Sequence, residues 1–281
     1  MIGARPATRP PVLKRFGQHF LEAAWVAKLV ACIRPGPGEV FLEIGAGAGQ
    51  LTLPLAAAGA EVVAVEKDPR LAARLRTVAP SSVRVVTGDV LDQDLACLVG
   101  GSRPGRARRP ARVAGNLPYN VSTPILRRLV ETHHGHACFE DATLMLQREV
   151  ADRVVGRPGT RDYGPLAILT RAAARAERVL ALPPGAFRPP PRVRSAVVSL
   201  WFRPSPAPVG DRALFERLVR TLFTQRRKTV LNALSPLARE PRRCSARELL
   251  ARAGVAPDRR PATLDLHELA RLADALAAAP R

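Results

Sequence analysis

The 281-residue sequence predicts a doubly wound, Rossmann-like α/β sheet followed by a small helical C-terminal domain. Three observations carry that expectation. Short apolar runs rich in Val and Ile alternate with helical patterns from residue 12 to about 202, as in a sheet with helices on both faces. Three of these runs end, in chain order, in residues suited to a nucleotide-like ligand. From Asp211 on, Leu214, Phe215, Leu218, Val219 and Leu222 recur at helical spacing.

Val40–Ile44 reads as a buried parallel strand, and Gly45-Ala46-Gly47-Ala48-Gly49 follows it at once. Glycines there let the backbone pass close to a bound molecule. Gln50 to Ala58 reads as the next helix. A second strand, Glu61–Val65, ends in Glu66, 21 positions after Gly45. That is close to the spacing at which a carboxylate meets ribose hydroxyls in a βαβ nucleotide site. A third strand, Val83–Val86, ends in Thr87-Gly88-Asp89, where a carboxylate can accept a hydrogen bond from an adenine amino group.

A fourth run, Ala111–Gly115, leads into Asn116-Leu117-Pro118-Tyr119. Pro118 lacks an N–H and cannot extend a ladder. The backbone therefore turns out at the carboxyl end of the strand, where open α/β sheets place ligands. An amide oxygen and a carbonyl there can accept from an exocyclic NH2, and the tyrosine ring can stack on a base. An Asn-Leu-Pro turn with a core tyrosine would read the same in isolation.

The glycine loop is not a Walker A, because no Gly-Lys-Ser/Thr ends it, and it lacks the G-x-G-x-x-G spacing of nicotinamide sites. Glu43, just before it, places negative charge near the ligand. That charge opposes a pyrophosphate and favours a sulfonium cation. The physical reading is S-adenosylmethionine.

Longer stretches then resemble a known family. They include Phe16-Gly17-Gln18-His19-Phe20-Leu21, Leu42–Gly47, Gly115–Pro124, Gln147–Ala151, Pro158–Gly164, Pro183–Val198 and Gln225-Arg226-Arg227-Lys228-Thr229. Together they resemble the small-subunit (16S) ribosomal RNA adenine N6,N6-dimethyltransferases (KsgA/RsmA). The resemblance implies a class I methyltransferase sheet and an S-adenosylmethionine cofactor. It also implies N6-dimethylation of two adjacent adenines near the 3′ end of small-subunit ribosomal RNA, with a role in ribosome biogenesis. By resemblance His19, Leu21, Gly45, Glu66, Asp89 and Asn116 hold the cofactor. Asn116, Leu117, Pro118 and Tyr119 hold the target adenine, and Phe187 closes over its other face unless it is simply a core phenylalanine. The family more often has Asn at position 19 and Gly-Pro-Gly-Leu-Gly in the loop.

Composition agrees. The net charge is +20, which suits a polyanionic partner. Nearly all the cations are arginines, in a chain also rich in Ala and Pro, so coding bias explains part of the arginine content. No apolar run is long enough to span a membrane, and Met1–Arg15 lacks the apolar core of a signal peptide. Cys32, Cys97, Cys138 and Cys244 lie far apart without Cys-x-x-Cys spacing, which argues against a metal site and fits a reducing cytoplasm.

The expected organisation is a disordered basic tail over 1–11, a methyltransferase domain over 12–203, a Pro-rich linker over 204–210 and a helical RNA-binding domain over 211–281. Gly100–Arg112 reads as an exposed basic loop. Arg226, Arg227 and Lys228 close the first C-terminal helix and are candidate RNA-phosphate ligands, although cations suit a helix end in any case. The expected partner is small-subunit ribosomal RNA in an assembling 30S particle, with the enzyme a monomer. Three other readings stay open: an erythromycin-resistance-type methylase of large-subunit RNA, a DNA adenine methylase, and a nucleic-acid-binding assembly protein without catalysis. The Asn116–Pro124 run and Gln225–Thr229 favour the small-subunit enzyme over the first. The lack of a sequence-reading domain disfavours the second. Intact Glu66, Asp89 and Asn116–Tyr119 disfavour the third.

Overall fold

The computed structural model describes residues 20–100, 109–238 and 244–279. In chain order the elements begin β1 (Phe20–Leu21), α1 (Ala23–Ile33), β2 (Val40–Ile44), α2 (Thr52–Ala57), β3 (Glu61–Glu66), α3 (Pro69–Val78) and β4 (Val83–Thr87). Next come α4 (Leu95–Gly100), β5 (Ala111–Asn116), α5 (Ser122–His136), β6 (Phe139–Gln147), α6 (Arg148–Val155) and α7 (Pro165–Arg171). They are followed by β7 (Ala174–Leu182), β8 (Phe187–Arg188), β9 (Ser195–Phe202), α8 (Arg212–Thr224), α9 (Val230–Ala238), α10 (Ala246–Ala253) and α11 (Leu266–Ala277).

Seven strands form one sheet in the order β4-β3-β2-β5-β6-β9-β7, and β1 pairs with β8 separately. The β2–β3, β3–β4 and β2–β5 pairs are parallel. The chain runs outward from β2 to β3 and β4, then returns to place β5 on the other side of β2. The strand order thus reverses between β2 and β5, and crevices for ligands open at such a reversal. Gly115 allows these two strand ends to meet closely: a Cβ at that position would lie 2.5 Å from the Ile44 carbonyl oxygen, which no real side chain tolerates.

The chain divides into two compact units. One contains the described residues up to Ile125, with Thr143–Arg148 and Val179–Val197; the other contains Leu126–Ala142, Glu149–Arg178 and the described residues from Val198 on. The first unit packs Leu29, Ile33, Phe41, Val62, Ala114, Met145 and Phe187 into its core. The second is centred on α8, whose Leu214, Phe215, Leu218, Val219 and Leu222 are all buried, as the helical spacing predicts. Asp211 caps α8 by accepting from Leu214 N–H at 2.9 Å. Capping boxes at Ser245/Glu248 and Asp265/Glu268 start α10 and α11.

Three expectations need correction. The helix after the glycine loop is shorter than Gln50–Ala58 and begins at Thr52, because Gly45, Gly47 and Gly49 all have positive φ and the chain is still turning. Within Gly100–Arg112, residues 101–108 lie outside the described residues, as does the tail over 1–11. Ala111 and Arg112 belong to β5, as the strand run over Ala111–Gly115 predicts. Arg112 is no loop cation: its guanidinium pairs with Glu39 at 2.9 Å and donates to the Ile33 and Arg34 carbonyls. Finally, Gln225–Lys228 follows α8 instead of ending it, since Gln225 is already the C-cap.

Candidate active site

A cavity of about 300 Å³ opens beyond the carboxyl ends of the parallel strands, at the lower end of the range for small-molecule sites, roughly 300–1,000 Å³. Leu21, Gly45, Glu66 and Asp89 line it together with the whole Asn116–Tyr119 segment. Sequence motifs up to 98 positions apart (Leu21 to Tyr119) thus share one wall. His19 lies outside the described residues.

Glu66 ends β3 with both carboxylate oxygens in use. Oε2 accepts the Gly47 N–H at 2.7 Å and Oε1 accepts the Asp68 N–H at 2.8 Å. The acid therefore shapes the glycine loop as well as facing the cavity. Asp89, past the end of β4, accepts from Leu91 N–H at 3.0 Å and forms an ion pair with Lys67 Nζ at 2.6 Å. That hydrogen bond from Lys67 is the main force holding the Asp89 carboxyl below the usual carboxylate range; partial burial opposes it.

Gly45 sits at φ +76°, and a Cβ there would come within 3.4 Å of the Asn116 carbonyl oxygen. The loop and the β5 end therefore touch. At that end the Leu117 N–H donates to the Met145 carbonyl at 3.2 Å, and the Leu117 side chain is buried. The Tyr119 hydroxyl and Ser195 Oγ lie 2.7 Å apart, which fixes the ring. Burial raises the Tyr119 pKa and the Ser195 hydrogen bond opposes that, so the phenol stays neutral at physiological pH.

Glu43 behaves differently from its sequence reading. It lines the cavity but is only 2% exposed. Burial pushes its carboxyl up to about 8; neighbouring Thr52 opposes this and the charge of Glu66 adds to it. At neutral pH without a cationic ligand the side chain is mostly protonated, so it carries little of the expected negative charge. Its Oε2 is buried with no hydrogen-bond partner. A loop whose Gly45 and Gly47 line the cavity at positive φ and a buried acid without a counter-charge among the described residues both fit S-adenosylmethionine.

Phe187 is fully buried in the apolar core, paired through β8 with Leu21 of β1, and does not line the cavity. Of the basic cluster, the Arg226 guanidinium donates to the Thr160 carbonyl at 2.8 Å, whereas Arg227 and Lys228 are exposed. Sequence reasoning missed Lys67, Gln50 and Ser195. Lys67 could have been found as the neighbour of Glu66. Gln50, which donates to the Leu21 carbonyl at 2.8 Å, and Ser195, 76 positions from Tyr119, carry no local signal.

The family model "Ribosomal RNA adenine dimethylase" matches residues 12–272. The chain belongs to that family. It is 43% identical over 270 residues to "Ribosomal RNA small subunit methyltransferase A" of Anaeromyxobacter dehalogenans, covering 94% of this chain and 93% of that one. A dimethyladenosine transferase from Plasmodium falciparum has the same fold, with a TM-score of 0.72 at 21% identity over 90% of this chain and 96% of that one. The 23S rRNA methyltransferase ErmE superposes with a TM-score of 0.64 at 28% identity, covering 92% and 99%. This adenine dimethylase therefore has the class I methyltransferase sheet expected from its sequence.

Proposed function

We propose that this adenine dimethylase transfers methyl groups to N6 of two adjacent adenines near the 3′ end of small-subunit ribosomal RNA. The observation that carries the reading is the cavity that gathers the glycine loop, Glu66, Asp89 and Asn116–Tyr119. S-adenosylmethionine supplies a methyl group on a sulfonium, a leaving group that departs as a neutral thioether. In this reading Gly45 and Leu21 seat the cofactor, Glu66 holds its ribose hydroxyls and Asp89 its adenine amine.

The target amine is a poor nucleophile because its lone pair is delocalised into the ring. The Asn116 side-chain oxygen and the Leu117 carbonyl accept its two N–H groups and draw the nitrogen toward tetrahedral geometry. Pro118 keeps the backbone of that segment turned out of the ladder. Tyr119, held by Ser195, offers a stacking face. Positioning and electrostatics then supply most of the rate. For Phe187 to cover the second face of the base, its ring must leave the core, so packing is the role its burial supports. A base must leave its stack to enter such a site, which favours single-stranded or loop adenine.

The finer assignments belong to the same proposal. They are an assembling 30S particle as substrate, a role in ribosome biogenesis, a monomeric enzyme acting in the cytoplasm, and RNA binding through 211–281, with 12–203 as the methyltransferase domain and 204–210 as linker. No helix among the described residues is long and apolar enough to cross a membrane. The likeness to ErmE keeps large-subunit RNA as the competing substrate. The deciding experiment maps N6-dimethyladenosine in both ribosomal RNAs from cells with and without this gene. Loss confined to small-subunit RNA supports the proposal, and loss confined to large-subunit RNA overturns it.

A further inference from the structure

We propose that Glu43 lets the site tell cofactor from product by charge: its carboxyl is ionised beside a bound sulfonium and protonated beside the neutral thioether. The inference rests on the S-adenosylmethionine reading above.

Among the described residues, the groups packed around the Glu43 carboxyl bring it no cation. It lies one residue from the end of β2, and its partners in register are Ala64 on β3 and Ala114 on β5, neither of which carries charge. From α2 it meets Thr52, which is neutral. The charged group acting on it is Glu66, at the end of β3, which repels a second negative charge. The other charged residues lining the cavity, Lys67 and Asp89, are paired with each other. With Oε2 buried and without a hydrogen-bond partner among the described residues, an ionised Glu43 has no counter-ion from those residues. Such a carboxyl stays protonated until an opposite charge arrives. Its ordinary range is restored only by a ligand that brings a cation into this wall.

The proton balance closes over one turnover. Cofactor binding ionises Glu43 and releases one proton. Methyl transfer breaks the S–CH3 bond, leaving its electron pair on sulfur, and forms an N–CH3 bond from the amine lone pair. The amine then loses one proton. Glu43, now without a counter-charge, takes one proton back through solvent, and the product leaves a neutral side chain behind. One proton is released per methyl group, as the overall reaction requires.

Titration calorimetry of the full chain with S-adenosylmethionine and with S-adenosylhomocysteine, at pH 7 in buffers of different ionisation enthalpy, tests this without turnover. The amino-acid part common to both ligands cancels in the comparison. S-adenosylmethionine should release about one proton more than S-adenosylhomocysteine, and its affinity should rise by up to about tenfold per pH unit from pH 6 to about 8 and then level. Glu43→Gln should abolish the difference and reduce the preference for cofactor over product; if that variant fails to fold, the parent protein decides alone. Equal proton release for the two ligands, or a parent preference that is flat with pH, overturns the inference while leaving the cofactor reading intact. Failure to bind either ligand overturns both.

Discussion

Glu66 Oε2 accepts the backbone N–H of Gly47 across 2.7 Å. The acid at the end of β3 therefore braces the glycine loop that follows β2, and in the proposed site cofactor binding and loop shape depend on one side chain. Glu66→Ala removes a charged acceptor and should weaken S-adenosylmethionine binding by about 1.5–3 kcal/mol. Glu66→Gln keeps an oxygen for the loop and loses the charge, so it should fall between parent and Ala variant. Titration of the three proteins measures this, and unchanged affinity in Glu66→Ala removes Glu66 from the site.

Glu43 also makes the ligand-free fold sensitive to pH. Its carboxyl ionises near 4.5 in an ordinary environment and near 8 in the fold. Between those values the unfolded chain has given up the proton and the folded one has kept it. Stability from this group is fully present below about pH 4.5, declines as pH rises toward 8 and levels off above. Denaturant unfolding of parent and Glu43→Gln at pH 5, 6.5 and 8.5 isolates the effect. The variant should gain on the parent as pH rises, and a constant gap would mean that Glu43 is solvated.

Much of this site is legible in the sequence because the sheet delivers ligand groups at strand ends, and strand ends are marked by local residue patterns. Glu66, Asp89 and Asn116 each close a short Val-rich or Ala-rich run, so their common destination follows from the alternation of strands and helices. What stays hidden depends on neighbours distant in sequence. Nothing near Glu43 announces that the uncharged Ala64 and Ala114 flank it in the sheet. The ion pair of Arg112 is hidden because its partners, Glu39 and two carbonyls, come from more than 70 positions earlier. The start of α2 is invisible because helical propensity at Gln50 says nothing about the positive φ of Gly49 just before it.

The exposed pair Arg227 and Lys228 is better placed for phosphate than Arg226, whose guanidinium is engaged with the Thr160 carbonyl. Replacing Arg227 and Lys228 with Ala should weaken ribosomal RNA binding and leave S-adenosylmethionine affinity unchanged. Every phosphate deprived of its cation should lower the slope of log affinity against log salt by about 0.7–0.9. Arg226→Ala alone should act mainly on stability by freeing Thr160. Binding isotherms across a salt series give the slopes, and a double variant with the parent slope would leave these residues as solvated surface.

Asn116 and Tyr119 stand on the same turn but should fail in different ways. In the proposed mechanism the Asn116 oxygen orients the target amine as its lone pair turns toward the methyl group, an interaction realised mostly in the transition state. Asn116→Ala should therefore lower kcat more than it raises KM. In the same mechanism Tyr119 provides a stacking face before and during transfer, worth roughly 1–3 kcal/mol per base, so Tyr119→Ala should also raise KM. Tyr119→Phe keeps the ring and removes only the hydrogen bond with Ser195. It should retain most base affinity while allowing the ring to shift, so the loss should be smaller and fall mainly on kcat. Because Asn116 also borders the glycine loop, cofactor affinity has to be measured in all three variants. Single-turnover methylation of small-subunit particles then separates the effects. A fully active Asn116→Ala enzyme with normal cofactor affinity would sink the mechanism, since the Leu117 carbonyl alone cannot hold both N–H groups of the amine.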